Sequence, residues 1–386
     1  MTAERWNRTA YSIEAMRGLA RRALPRPVFD FADGGAENES TLRRNEAAFN
    51  SVDFLPQPLN GVTDRDLGVD LFGERLALPV VIGPTGLSGL FWPNGEIAAA
   101  RAAAAAGTAF CLSHGSTCTI EDLAAAGIPR RWMQVFVYRD RAITRDFAER
   151  AAASGYGALV LTIDNQLVGS RERDVRNGFT IPPRFSPVDM IAMASKLPWL
   201  LRMAGTLPKI TFANYARPGE KVDIASMAGK FAGMLDPSLS WRDVEWLRGV
   251  WKGPLLLKGV LHPKEAAEAV ERGVDSIIVS NHGGRQLDGA SSSFDALPGV
   301  TQAIGGRIPI LIDGGVRRGA DVVKALALGA TACLIARPQL FGLAVAGEAG
   351  VTRVFDILRR EIDRSMGLLG VSTISDLSPD YIIRRS

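Results

Sequence analysis

The stretch IPILIDGGVRRGADVVKALALGATACLIARP, Ile308–Pro338, sets the fold. An apolar run, IPILIDGG (308–315), leads into a loop of glycines and arginines. A helix candidate, RGADVVKALALG, stops on a glycine, a common C-terminal signal. A second apolar run, ACLIAR (332–337), then begins the pattern again. Working outward, the same strand–loop–helix unit recurs from residue 78 onward. The other strands read LPVVIGPTG (78–86), AFCLSH (109–114), WMQVFV (132–137), ALVLTID (158–164), PLLLKGV (254–260) and SIIVSN (276–281). These runs are nearly continuous in apolar residues rather than alternating, the pattern of parallel strands buried on both faces. Alanine-rich helix candidates such as GEIAAARAAAAAG, RDFAERAAASG and PKEAAEAVERG separate them. Eight strands with eight helices predict an α/β protein of the (β/α)8 TIM-barrel type. A doubly wound sheet is the alternative, and no GxGxxG opens the first unit to favour it.

Three regions fall outside the repeat. Residues 1–77 are expected to form an N-terminal cap of helices and loops. Residues 165–239 form a long insertion after strand 4, and a tail runs from about residue 350 to 386. The whole chain, 1–386, is expected to be one barrel domain.

Composition narrows the function. Hydrophobic residues make up 47% and charged residues 22%, which marks a globular chain rather than a disordered one. Forty-five Lys and Arg against 41 Asp and Glu give a net +4, too small an excess to argue for nucleic acid. Cys111, Cys118 and Cys333 are odd in number and lack CxxC spacing, which argues against a disulfide framework or a zinc site. No metal is expected. A reducing cytoplasm fits, and MTAERWNRTAYSIEAMRGLARR carries no apolar core of a secretory signal.

Barrels of this kind place chemistry at the C-terminal ends of their strands. Those ends hold Thr85 and Gly86, Ser113 and His114, Gln134 and Phe136, Thr162 and Asp164, Lys258, Ser280 and His282, Asp313 to Gly315, and Ala336 with Arg337. A purely structural barrel has little reason to collect a lysine, a histidine and two aspartates at one rim. The glycines of DGGVRRG and the arginine of IARP match the usual phosphate site of such barrels, with Gly315, Arg317 and Arg337 as candidates. A plain glycine-rich turn with surface arginines reads equally well there. Lys258 allows two readings, a Schiff-base lysine or a cation stabilising negative charge on a cofactor. Asp164 is placed to pair with His282 and stabilise its cationic form, and Arg285 to grip a carboxylate.

PRPVFDFADGGAENESTLRRN, IGPTGLSGLFWPNGE, LTIDNQLVGSRERD, LLLKGV, SNHGGRQLDG and LIDGGVRRGADVVKALALGA together resemble the FMN-dependent L-2-hydroxy acid oxidase/dehydrogenase family over the whole chain. IGPTGL, WPNGE and SPDY look most like its bacterial (S)-mandelate dehydrogenase branch. TLRRN and a long apolar insertion are shared with the L-lactate dehydrogenase branch. The resemblance implies FMN as cofactor and a 2-hydroxy acid as substrate. His282 would be the base, with Asp164 behind it, and Arg285 and Arg171 would hold the substrate carboxylate. Lys258 would lie by the flavin N1/O2 region. Thr85, Gly86, Ser113, Gln134, Thr162 and Ser280 would line the flavin ring. Asp313, Gly315, Arg317, Ala336 and Arg337 would hold the ribityl phosphate. The family commonly forms homotetramers and passes electrons to a quinone or to O2.

Two positions depart from the family. Phe31 and Phe136 stand where tyrosines normally touch the substrate. Losing a hydrogen bond to a charged group costs ~1.5–3 kcal/mol, so a small substrate would suffer and an aryl or bulky one is favoured. A family offshoot acting on a carbon–nitrogen centre is the alternative, and a non-redox barrel using Lys258 is a third. His114 and Ala336 are lesser departures, His114 reading as a pocket residue and Ala336 still offering its N–H to phosphate. Tyr138 stands near Phe136 with the same strand parity.

Within Arg184–Lys230 seven basic and three acidic residues give a local net +4. The segment VDMIAMASKLPWLLRMAGTLPKITF is interrupted by Lys196, Pro198, Arg202 and Pro208, so it cannot span a bilayer as one apolar helix. It reads either as peripheral contact with the inner face of the cytoplasmic membrane or as a lid over the site.

Overall fold

The computed structural model describes residues 8–178, 194–215 and 232–385. Eight parallel strands close into a barrel: β1 Val80–Ile82, β2 Phe110–Leu112, β3 Arg131–Val135, β4 Ala158–Thr162, β5 Leu255–Val260, β6 Ser276–Val279, β7 Ile310–Ile312 and β8 Ala332–Ile335. Leu334 of β8 sits opposite Val81 of β1 and seals the ring. Helices follow the strands in turn: α1 Gly95–Ala105, α2 Ile120–Ala125, α3 Arg141–Ala153, α4 Trp241–Val250, α5 Pro263–Glu271, α6 Ser293–Ile304, α7 Gly319–Ala327 and α8 Arg337–Leu369. The fold is the (β/α)8 barrel that the repeating units predict.

Burial on both faces explains the continuous apolar runs. Val81, Cys111, Trp132, Val160, Leu256, Ile278, Leu311 and Leu334 meet inside the barrel. Their neighbours, among them Ile82, Met133, Leu161, Leu257, Ile277 and Ile312, pack outward against the helices. Side chains alternate along a strand, so two residues beyond each inner residue comes the next inward layer. That layer holds Ser113, Gln134, Thr162, Lys258, Ser280, Asp313 and Ala336. The floor of the candidate site is therefore a direct consequence of strand parity.

The cap is not made of helices and loops alone. A hairpin of Val69–Leu71 and Glu74–Leu76 inserts Leu71 and Leu76 into the inner cluster, and Phe72 packs edge-on to Trp132 at 5.8 Å. It plugs the mouth opposite the candidate site. Its strands are three residues each, too short to show an alternating pattern in the sequence. Val52–Phe54 also pairs with Ile382–Arg384, joining the cap to the C-terminal end of the described chain. The expected tail from about 350 is likewise corrected, because residues up to Leu369 continue α8 past a break at Ala346 and Gly347. Gly347 has φ +59, and a Cβ there would lie 2.4 Å from the Trp92 ring, so the chain must both turn and pack closely at that point.

The insertion is described in part. Leu197–Met203 is helical, with Trp199 buried and its Nε1 donating to Leu90 O at 3.1 Å. Arg202 stacks over the Trp92 ring at 4.4 Å. Residues 194–215 thus touch the barrel rim, while Leu197 and Leu201 stay exposed. The remainder of Arg184–Lys230, on which the membrane reading also depends, falls outside the described residues. Among the described residues, no helix is long and apolar enough to cross a membrane.

Candidate active site

One cavity of about 550 Å³ opens at the C-terminal rim of the barrel. Thr85, Gly86, Ser113, Gln134, Phe136, Thr162, Lys258, His282, Asp313, Gly315, Arg317, Ala336 and Arg337 line it. The insertion brings Arg171, the loop after β6 brings Arg285, and the cap helix Arg26–Asp33 brings Phe31. Asp164 and Ser280 stand just behind the wall, each bonded to a lining residue.

The sequence SNHGG folds into a left-handed turn. His282, Gly283 and Gly284 have φ of +60, +64 and +72. A positive φ strains histidine but not the glycines beside it. The turn places His282 Nδ1 2.9 Å from Asp164 Oδ1. With Nδ1 so engaged, Nε2 is the nitrogen left to act on a ligand. Burial pushes the His282 pKa below its ordinary value, and Asp164 offsets only part of that. Burial alone would raise the Asp164 carboxyl, but His282 and Lys258 hold it lower than usual.

Lys258 is buried, and its Nζ lies 3.0 Å from Asp313 Oδ2 and 2.9 Å from Ser280 Oγ. Burial opposes its charge, yet Asp313 and Asp164 more than compensate and keep it protonated. A protonated amine is a poor nucleophile, which favours the electrostatic reading of this lysine over the Schiff-base one. Ser280 Oγ also accepts from the His282 backbone N–H at 3.0 Å, so one hydroxyl locks both groups.

Arg171 and Arg285 are unlike the nearby Arg173. Arg173 is paired with Asp33 at 3.1 Å and with Glu39. Among the described residues no carboxylate lies within ion-pair distance of Arg171 or Arg285, and Arg171 Nε is buried without a partner. Burial pushes the pKa of both guanidiniums down, and for Arg285 the charges of Arg171 and Arg337 add to it. Arg285 Nη1 donates to Phe31 O and Gly34 O at 2.8 and 2.9 Å, and its Cζ sits 5.3 Å over the Phe31 ring. The pair forms a cationic wall with room for an anion. Asp174 lines the same wall and was not singled out from sequence; burial raises its carboxyl pKa.

At the glycine loop, Gly314 and Gly315 have φ of +91 and +89. A Cβ on Gly315 would lie 2.0 Å from Asn45 O, so glycine lets the helix Ser40–Ala48 close on this loop. Arg317 Nη2 pairs with Glu46 at 2.8 Å, and its Nε is buried without a partner among the described residues. Arg337 is engaged with the cap. Its side chain donates to Ala32 O, Gly283 O and Gly34 O at 3.0, 3.0 and 2.8 Å, tying cap to rim. Burial and Arg317 push its pKa down to about 10. Its share in holding a phosphate would come from the main chain at the start of α8.

The cavity also suits a flat, polar-edged ring. Gln134 Nε2 and Thr162 Oγ1 are buried side-chain donors with no partner among the described residues, on the inward layer beside Lys258. Buried polar groups are rarely left unmatched, so these atoms point to a ligand that supplies acceptors. Glycine loop, Arg317 and helix start would hold its phosphate. The residues present fit FMN. Sequence reasoning missed Trp199, Leu207, Ile210 and Phe212, which give the cavity an apolar flank. They belong to the insertion, where no repeat marks a position as inward.

Barrel, buried cation and partnerless polar edge mark a cofactor site among the described residues, and the family match makes it that of an oxidoreductase. The chain belongs to the FMN-dependent dehydrogenase family, whose model matches residues 20–384. An L-lactate dehydrogenase of Ectopseudomonas mendocina (strain ymp) is 41% identical, covering 95% of this chain and 97% of that protein. A peroxisomal (S)-2-hydroxyacid oxidase of Arabidopsis thaliana is also 41% identical, over 96% of each chain. The crystal structure of the monotopic membrane protein (S)-mandelate dehydrogenase superposes with a TM-score of 0.93 at 39% identity, covering 97% of this chain and 99% of that one.

Proposed function

We propose that this enzyme oxidises an L-2-hydroxy acid, with an aryl or otherwise bulky side chain, to the 2-oxo acid. The observation that carries the reading is the His282–Asp164 pair opening on the same cavity as two guanidiniums with no ion-paired carboxylate among the described residues. Thr85, Gly86, Ser113, Gln134, Thr162, Lys258 and Ser280 would hold the ring of FMN, and Asp313, Gly315, Arg317, Ala336 and Arg337 its ribityl phosphate. When bound, FMN supplies the two-electron acceptor. Arg171 and Arg285 clamp the substrate carboxylate and so fix its C2 against the base. His282 Nε2 takes a proton from the substrate, and Asp164 stabilises the imidazolium that results. Lys258 compensates negative charge at the floor of the site. The apolar flank of Trp199, Leu207, Ile210 and Phe212, with the Phe31 and Phe136 rings, supports a large apolar side chain on the substrate. Electrons then pass to a quinone or O2. The exposed Leu197 and Leu201 on the rim support peripheral contact with a membrane surface for the quinone route.

Anaerobic mixing with (S)-mandelate and, separately, L-lactate tests the substrate. Mandelate is expected to bleach the flavin absorbance at lower concentration than lactate. Preference for lactate would remove the aryl reading, and bleaching by neither would move the enzyme to a carbon–nitrogen substrate.

The pH dependence follows from His282. The base works only when neutral, and burial holds its pKa below the ordinary value of about 6.5. The acid limb of kcat/KM is therefore expected below pH ~6.5, with activity persisting as pH falls through that point. Asp164→Asn removes the charge that raises the imidazole pKa. The limb should then move to still lower pH while the plateau rate falls. A limb that moves upward in Asp164→Asn would contradict this pairing.

A further inference from the structure

We propose that Gly259 is a positioning residue for the base: the bulge it makes in β5 is the bed on which the Asp164 carboxylate lies against His282, and a side chain at that position would push the carboxylate away. The inference rests on the hydroxy-acid reading above and adds a residue behind the same site.

β5 is regular as far as Lys258, which sits opposite Ile278 of β6. Val260 then sits opposite Val279, so two residues of β5 face one of β6, and Gly259 is the extra one. Such a bulge reverses the alternation of side chains beyond it. Leu256 lies in the inner cluster, and unbroken alternation would send Lys258 and Val260 inward after it. Instead Val260 packs in the outer cluster with Val279. Neither Gly259 nor Val260 then puts a side chain inward past Lys258, and Asp164 of the neighbouring strand end lies over the bulge.

Gly259 has φ +109, a conformation that residues with a side chain rarely adopt. A Cβ there would lie 2.8 Å from both Cβ and Cγ of Asp164 and 3.0 Å from its N. These atoms are the root of the side chain, not a flexible end. The main chain around Asp164 is held on two sides: Ile163 N–H donates to Lys258 O at 2.8 Å, and Gln286 Nε2 donates to Asp164 O at 2.9 Å. The side chain must therefore turn, and Oδ1 gives up its place 2.9 Å from His282 Nδ1. The glycine thus meets two demands at once, the turn of its own backbone and the close approach of Asp164.

The charges around His282 set the direction of the effect. Burial lowers the imidazole pKa and Asp164 opposes it, while Lys258 of β5 and Arg171 of the insertion add to the lowering. His114, after β2, is a further imidazole within electrostatic range. Displacing the Asp164 carboxylate removes the one group that raises the pKa, so the base stays neutral to lower pH.

Anaerobic stopped-flow reduction of the FMN-loaded enzyme by (S)-mandelate across pH tests this on Gly259→Ala, Asp164→Asn and the double variant. Gly259→Ala is expected to keep its flavin spectrum and to lose about 10²-fold in plateau rate, the effect of a small misplacement at a base. Its acid limb should move to lower pH, as in Asp164→Asn. In the Asp164→Asn background the same alanine should cost only about threefold or less, because both changes act on one contact. A Gly259→Ala limb that stays in place or moves up overturns the role, since a lower rate alone would be general damage. A double variant that loses the product of the two single effects overturns it too. If Gly259→Ala gives no folded flavoprotein, Asp164→Gly is compared with Asp164→Gly/Gly259→Ala, in which the two nearest contacts are gone. The pair should then both fold and bind FMN, with similar melting temperatures. Failure of the double variant alone means that the glycine serves only its own backbone, and overturns the proposal. If no 2-hydroxy acid reduces the wild-type enzyme, the proposed function falls and the role of the bulge with it.

Discussion

His282→Gln is expected to keep FMN bound and the flavin spectrum intact while turnover falls by about 10²–10⁴-fold or more, the usual worth of a positioned general base. Glutamine retains a polar side chain of similar reach but has no basic nitrogen to take the substrate's proton. The flavin should survive because Lys258 keeps its bonds to Asp313 and Ser280, neither of which depends on the imidazole. Backbone conformation must be separated from chemistry here. His282 sits at φ +60, a region that costs a β-carbon-bearing residue ~1–2 kcal/mol and that asparagine tolerates best after glycine. His282→Asn is therefore the companion variant, expected to be equally inactive and at least as stable as His282→Gln. Flavin absorbance, thermal denaturation and anaerobic reduction by (S)-mandelate measure all three quantities. Reduction within tenfold of wild type in either variant would remove His282 from the role of base.

The sequence carried the barrel because its strands are buried on both faces. Continuous runs such as ALVLTID and PLLLKGV can be read without knowing any partner strand. The same parity carried the site floor, since Gln134, Thr162, Lys258 and Asp313 lie two residues beyond an inner-layer residue. What could not be read was whatever depends on pairing at a distance. The Lys258–Asp313 ion pair joins β5 to the end of β7, and nothing local to either residue announces it. The cap contacts of Arg337 are equally unannounced. Only the folded cap reveals that Ala32 and Gly34 present carbonyls to it. The hairpin Val69–Leu71 and Glu74–Leu76 was invisible because six paired residues show no periodicity. The apolar flank from Trp199 to Phe212 was visible as an apolar basic segment, but sequence alone allowed it to face either a bilayer or the cavity. The bond from Trp199 to Leu90 O turns that one side chain to the barrel, while Leu197 and Leu201 of the same helix stay exposed.

The second large effect is expected at the arginine pair, and it can be separated from general damage by the charge of the substrate. Arg171 and Arg285 are partly buried cations whose pKa values burial has lowered, and no carboxylate pairs with either among the described residues. Asp174 on the same wall offsets these buried charges only in part, so the binding of an anion between them relieves a penalty already present in the free enzyme. Arg171→Met should lower kcat/KM for a 2-hydroxy acid by about 10- to 150-fold, the equivalent of ~1.5–3 kcal/mol for a hydrogen bond to a charged group. Most of that loss should appear in KM, because the carboxylate is charged before and after reaction. Arg285→Met should cost more and also lower the melting temperature, since Phe31 O and Gly34 O lose their donor and the cap loosens. Arg285→Lys should not restore activity, because an ammonium cannot bridge two carbonyls and a carboxylate as a planar fork can. The double variant should fall short of the product of the singles, as both arginines act on one group. The methyl ester of the same acid carries no charge, so the penalty of Arg171→Met should shrink toward unity with it. An equal penalty for acid and ester would mean that Arg171 shapes the cavity without reading the carboxylate.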